Sequence, residues 1–438
     1  MRTRWTATYM QTALRGIANR ARQDKKARFR DLYRLLNEEN LRGCFYRLRK
    51  SAAPGVDQVT FTEYERELDA NLANLVERLK RKRYRAKLVR RKYIPKGGGK
   101  LRPLGIPALE DKLLQGAAAQ LLTAIYEQDF LDCSWGYRPN RGPREAGRVL
   151  ADTLFRGKTG WVVEADIRGF FDNISHAWMM RMLRERIEDK AFLRLIEKWL
   201  KAGVLEEDGK VLHPATGTPQ GGIVSPVLAN IYLHYVLDLW FDKRVQKVNR
   251  GQAYLMRFAD DFVGAFQCRD DAERFLRELQ ERLGKFGLQV AEDKTRLLRF
   301  SRFELEPNEA FGFLGFEFRW VKSRHGKPTL RRRTQPRKLC ASIRKFAEWI
   351  EANRHYRVTE VMQGVRSRLQ GYWNYYGVRG NMRSLSKLYY YCIRLLFKWL
   401  NRRSQRNSYT WDGFKAMLNG FRIPPPQIVE RTPEPVFL

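Results

Sequence analysis

Phe258-Ala259-Asp260-Asp261-Phe262-Val263 sets two adjacent acids inside an otherwise apolar run from Ala253 to Phe266. The run reads as a strand, a tight turn and a second strand, with the acids at the tip. Neighbouring carboxylates repel, and a hard divalent cation with oxygen ligands is the usual compensation. Taken alone, the pair also fits a plain surface turn, which aspartate favours. A third carboxylate changes that balance. Trp161-Val162-Val163-Glu164-Ala165-Asp166 reads as a buried strand that ends on an acid. Three carboxylates at two neighbouring strand ends fit a two-metal site for phosphoryl transfer.

Working outward, Leu109 to Asp129 and His176 to Leu200 carry helical patterns, Gly217 to Gly222 reads as a loop, and Ile223 to Leu239 as a long apolar helix. A helix from Asp271 to Phe286 follows the hairpin, with short strands near Leu288 and from Phe311 to Phe318. This order predicts an α+β fold whose antiparallel sheet is flanked by helices. Upstream, Lys92-Tyr93-Ile94-Pro95-Lys96, three glycines and Lys100-Leu101-Arg102-Pro103-Leu104 read as a cationic hairpin. The composition shifts after Lys322: Arg331-Arg332-Arg333 and Arg337-Lys338 lead into helices rich in aromatic residues, which places a boundary near Trp320. Pro424-Pro425-Pro426 opens a proline-rich stretch expected to be extended.

The charge balance names the partner. Lysine and arginine total 84 against 48 acidic residues, a formal net charge of +36 spread from Arg2 to Arg431. Such an excess repels itself, and a nucleic-acid backbone supplies the counter-charge. No apolar run approaches the roughly 20 residues that would span a bilayer, so no membrane partner is expected. Cys44, Cys133, Cys268, Cys340 and Cys392 are odd in number and scattered, which suits reduced thiols better than a disulfide framework.

The blocks around Asp166, Thr218-Pro219-Gln220-Gly221-Gly222 and Phe258-Ala259-Asp260-Asp261, in that order, resemble motifs A, B and C of reverse transcriptases. The resemblance runs from about Pro54 to Asn381 and is closest to proteins encoded by bacterial group II introns. It implies a right-hand polymerase: a helical N-terminal extension over 1–60, fingers and palm over 61–320, a basic linker and all-helical thumb or maturase domain over 321–420, and a tail over 421–438. It implies two Mg2+ ions held by Asp166, Asp260, Asp261 and the backbone carbonyl of Ile167. It also implies that Lys96 and Arg102 grip the incoming triphosphate, that Phe171 closes on the sugar, and that Gln220 and Gly221 lie under the nascent pair. Lys294 matches a lysine thought to protonate the leaving pyrophosphate. Phe311-Gly312-Phe313-Leu314-Gly315-Phe316 resembles the hairpin that supports the primer end, and Gln370 to Gly377 resembles the intron-binding thumb.

The implied partners are group II intron RNA, an RNA template with a DNA primer, deoxynucleotides and target DNA, in a bacterial cytoplasm close to the nucleoid. The paired Cys and His of a metal-dependent endonuclease are not expected. A domesticated reverse transcriptase of defence or repair, or an RNA-binding splicing factor without polymerase activity, are the alternatives.

Overall fold

A computed structural model describes residues 2–97, 100–218, 220–305, 309–403 and 408–430. Helices α1 (Arg2–Gln23), α2 (Glu38–Phe45), α3 (Phe61–Arg66) and α4 (Leu68–Lys80) precede the hairpin of β1 (Val89–Gly97) and β2 (Lys100–Ile106). Helices α5 (Leu109–Tyr126) and α6 (Pro143–Arg156) lead to β3 (Trp161–Asp166), then to α7 (His176–Arg184), α8 (Lys190–Leu200) and the short β4 (Val204–Leu205) and β5 (Val211–Leu212). Helix α9 (Ser225–Leu233) continues through π turns at His234–Asp238 and Phe241–Val245 into α10 (Gln246–Val248). Next come β6 (Ala253–Phe258), β7 (Asp261–Phe266), α11 (Arg269–Gly284) and β8 (Arg296–Arg299). A ribbon of β9 (Phe311–Phe313), β10 (Phe316–Lys322) and β11 (Pro328–Thr334) hands over to α12 (Pro336–Asn353), α13 (Val358–Tyr376), α14 (Met382–Leu400) and α15 (Trp411–Gly420).

The sheet that matters for the site has the order β6-β7-β3-β8, antiparallel throughout. Successive strand residues face opposite sides, and the sequence uses both. Val163, Ala165, Phe262 and Phe266 face the large core built with α5, α7, α9 and α11. Val162, Val263 and Ala265 face a second core shared with α6 and the ribbon. A third core lies among α12 to α15, around Trp373 and Leu396.

Four expectations need correction. The helix expected over 176–200 is two helices, because Asp189 caps α8 by accepting from Ala191 and Phe192 N–H at 3.0 Å, and Phe29 bonds the backbone of Arg186 and Glu188 in the gap. The helix expected over 223–239 starts at Ser225 and runs on to Val248. The strand expected near Leu288 is one bridge between Ile167 and Val290. Strand β10 crosses the expected boundary near Trp320, and the basic stretch beyond it pairs as β11, from Phe316↔Thr334 to Lys322↔Pro328. Of the proline-rich stretch, residues 424–430 carry no helix or strand, and 431–438 lie outside the described residues.

Candidate active site

Register brings the acids together. Asp166 on β3 sits directly opposite Asp261 on β7. Alternation turns both toward the ribbon, on the same side of the sheet as Val162 and Val263. Ala259 and Asp260 form the two-residue turn between Phe258 and Asp261. Ala259 has φ +59°, a left-handed position where such hairpin turns normally carry glycine. Burial first, then the charges of Asp166, Asp260 and Glu164, push the Asp261 carboxyl up to about 7, against a hydrogen bond from the Leu314 N–H. Lys294 donates to the Asp166 carboxylate, and that bond raises the pKa of its ammonium.

These groups border a cavity of about 1310 Å³ lined by Arg102, Asp166, Ile167, Phe171, Gln220, Gly221, Asp260 and Lys294. Eight of the ten residues singled out from the sequence therefore share one cleft, and Asp261 is half-buried directly opposite Asp166. Arg102 is exposed on β2, opposite Ile94. The backbone of Lys96 belongs to β1, but its side chain lies outside the described residues, as does Pro219. The bridge to Val290 is made by the Asp166 carbonyl and the Arg168 N–H, so the Ile167 carbonyl takes no part in those bonds.

The donor set fits a hard divalent cation: oxygen ligands only, with repelling carboxylates that such a charge would relieve. Among the described residues no three acidic, His or Cys side chains converge into a self-sufficient metal cage. A pH dependence follows. Because folding raises the Asp261 value from 3.8 to about 7, the folded state holds the proton more tightly than the unfolded chain. Stability without metal should fall as pH rises through that interval. A divalent cation competes with the same proton, so its stabilising effect in a thermal melt should be larger at pH 8 than at pH 6. Asp261→Asn should remove that difference; an equal shift at both pH values would refute it.

The loop beneath the cavity is held from several sides. The Gly105 N–H donates to the Gln220 carbonyl at 2.6 Å, Thr218 N–H to the Phe171 carbonyl at 2.8 Å, and Ile223 N–H to the buried Gln115 Oε1 at 2.9 Å. Gly221 has φ +118°, and a Cβ there would collide with the Gly105 carbonyl. Gly221→Ala is therefore expected to push the loop off β2 and lower primer-extension kcat by about 100-fold, the scale of an ångström-sized misplacement. Near-normal kcat would mean that the loop tolerates the shift.

Sequence reading missed several residues here. Tyr137 stands in the cleft within the fields of Asp260 and Arg102, and Glu164 adds a fourth acid to the cluster. Tyr137 carries no local signal and becomes a neighbour only through tertiary folding, whereas Glu164, two residues before Asp166 on β3, shares its face by strand alternation. Arg257 did carry one: a charged side chain at an inward position of an apolar strand.

The sequence profile described as "Reverse transcriptase (RNA-dependent DNA polymerase)" matches residues 94–318, from the middle of β1 through β2 and all three carboxylates to the start of β10. The chain belongs to the reverse transcriptase family. This reverse transcriptase is 32% identical to Protein YkfC of Escherichia coli over 349 residues, covering 72% of this chain and 89% of that protein. It is 29% identical over 406 residues to the group II intron-encoded protein LtrA of Lactococcus lactis, covering 74% of this chain and 66% of LtrA, just under two thirds. It is also 26% identical over 260 residues to the putative COX1/OXI3 intron 1 protein of Saccharomyces cerevisiae, covering 49% of this chain and 31% of that protein. The recognition of a group II intron-type reverse transcriptase/maturase from three motif blocks is borne out, and with it the reading as an RNA-directed DNA polymerase. The family implies dependence on a divalent metal and an RNA template. No described helix is long and apolar enough to cross a membrane.

Proposed function

We propose that this reverse transcriptase binds a group II intron RNA, assists its splicing, and copies it into DNA at a DNA target. The supporting observation is the pairing of Asp166 with Asp261, with Asp260 at the adjoining turn, in a cleft that also holds Arg102, Phe171, Gln220, Gly221 and Lys294. Two Mg2+ ions would be held by Asp166, Asp260, Asp261 and the Ile167 carbonyl, supplying the charge that activates the primer hydroxyl and offsets that of the triphosphate.

The protein's own residues do the rest. Arg102, with Lys96, grips the triphosphate through charge-assisted bonds. Gln220 and Gly221 offer close backbone approach beneath the nascent pair. Lys294 moves from the Asp166 carboxylate to the leaving pyrophosphate and gives it a proton. Phe171 packs edge-on to Phe170 at 5.3 Å and presents its ring to the incoming sugar. Phe171→Val should therefore admit ribonucleotides, lowering the preference for deoxynucleotides by roughly 100-fold. Competing dNTP and rNTP incorporation reads this directly, and an unchanged ratio would assign Phe171 to packing.

The division we propose gives DNA synthesis to the fingers and palm, and intron binding to the N-terminal helices and α12 to α15, where arginines lie over aromatic rings, as Arg368 over Trp349 and Arg354 over Trp399. The likeness to intron-encoded proteins and the charge of +36 support that RNA role, which would be carried out in the bacterial cytoplasm near the nucleoid. The test adds purified protein to a transcript of the RNA surrounding its gene. Accelerated splicing supports the maturase reading. DNA synthesis on RNA templates with no effect on splicing would leave a polymerase alone.

A further inference from the structure

Arg257 is fully buried on β6, and its guanidinium directs all five N–H bonds into the protein. Nε and Nη2 form a two-point ion pair with Asp238 at 2.7 and 2.6 Å. Nη1 donates to Asn230 Oδ1 and to the Ala259 carbonyl, both at 3.0 Å, and Nη2 also reaches Ser134 Oγ at 2.6 Å. Asp238 is itself fully buried, in the π turn that follows α9. A buried ion pair is a weak source of net stability, since apolar residues of the same volume often serve as well. What this one fixes is geometry.

The Ala259 carbonyl belongs to the planar peptide that it shares with Asp260. Holding that oxygen sets the plane, and so the direction in which Asp260 leaves the turn. The turn is confined from the other side too. A Cβ on Gly136 would collide with the Ala259 nitrogen, and the Gly136 carbonyl accepts from Asn230 Nδ2 at 2.6 Å. The Arg257 backbone bonds to Cys133 and Trp135 at 2.8 Å on the same side. An L-residue in a left-handed turn persists only when its surroundings over-determine it, and such strain gathers at functional sites.

We infer that Arg257 is a positioning residue for the metal-binding carboxylates: through the Ala259 carbonyl it holds the left-handed turn and the aim of Asp260, while Asp238, Asn230 and Ser134 hold the guanidinium. This rests on the reading of Asp166, Asp260 and Asp261 as metal ligands. Arg257→Lys tests it, because an ammonium can satisfy Asp238 but cannot fork to the Ala259 carbonyl as well. Two readouts are taken on the full chain bound to primer and template: Mn2+ binding by electron paramagnetic resonance of the free ion, and the Mg2+ concentration that half-saturates primer extension. Metal affinity should weaken by about 10- to 100-fold, as when other groups that orient a ligand are lost. The Mg2+ requirement should rise in step, and KM for deoxynucleotide at saturating metal should stay within about twofold.

A variant that only melts at a lower temperature, with both metal readouts unchanged, overturns the inference. Should Arg257→Lys not fold, Ser134→Ala decides: it leaves the Asp238 ion pair and the Asn230–Gly136 bond and removes one restraint on the guanidinium at Nη2, so weaker metal binding supports the inference and unchanged binding overturns it. If the unaltered protein binds no Mn2+ and extends primers without metal, the metal-site reading is what fails.

Discussion

Asp261→Asn is expected to abolish RNA-templated DNA synthesis while leaving the protein folded and bound to RNA. The substitution is nearly isosteric, and it removes a carboxyl that burial and three neighbouring acids already push up to about 7, so the fold should lose little. Chemistry should lose much. A bound metal contributes several kcal/mol of transition-state charge stabilisation, and each 1.4 kcal/mol is tenfold in rate, so a fall of at least about 1000-fold is expected. Primer extension on an RNA template checks it, with RNA binding measured beside it at a fixed salt concentration, because phosphate contacts are strongly salt-dependent. Residual synthesis within tenfold of the unaltered protein would move the chemistry away from Asp261. Loss of RNA binding along with synthesis would show a folding defect instead.

The residues that carry this chemistry were legible because their signals are local. Acids interrupting an apolar hairpin, a buried strand ending on an acid, and a glycine pair in a loop each break a pattern set by their immediate neighbours. The paired register of Asp166 and Asp261 then follows from sheet geometry. What stayed hidden depends on distant partners. The break between α7 and α8 has one local sign, Asp189 as the cap of α8, but its other half is Phe29, about 160 positions away in sequence, which no periodicity within 176–200 announces. The arginines after Trp320 look like a linker because their charge masks a strict alternation: Phe316, Phe318 and Trp320 face inward on β10, and Arg332 and Thr334 are buried on β11. Arg332 reads as surface until its acid, Glu430, is found; Arg257 breaks the apolar pattern of its strand, but its partner Asp238 comes only from the fold.

That last pair makes Glu430→Ala the largest stability effect expected. Arg332 reaches inward from β11, and its Nη2 bonds both oxygens of Glu430 at 2.7 Å, with both side chains almost completely buried. Glu430 also accepts from the Arg379 N–H at 3.0 Å, in the connection between α13 and α14. The chain is drawn to this point by Trp373 Nε1, which donates to the Pro424 carbonyl at 3.2 Å, and by the Val429 and Glu430 N–H groups, which donate to Gly377 at 2.8 and 3.0 Å. One carboxylate thus ties the ribbon to the helical domain. Removing it leaves a buried cation without its counter-charge, a loss of about 3–5 kcal/mol. Because a chain of several domains need not unfold in one step, hydrogen exchange of the peptide holding Val429 and Glu430 is the better measurement. It should speed up by about 100-fold or more, at tenfold per 1.4 kcal/mol. Replacing both partners, Arg332→Met with Glu430→Leu, should restore most of the protection, since no buried charge then remains unpaired. If Glu430→Ala exchanges no faster than the unaltered protein, the ribbon and the helical domain are held together by their apolar contacts, and the ion pair only follows them.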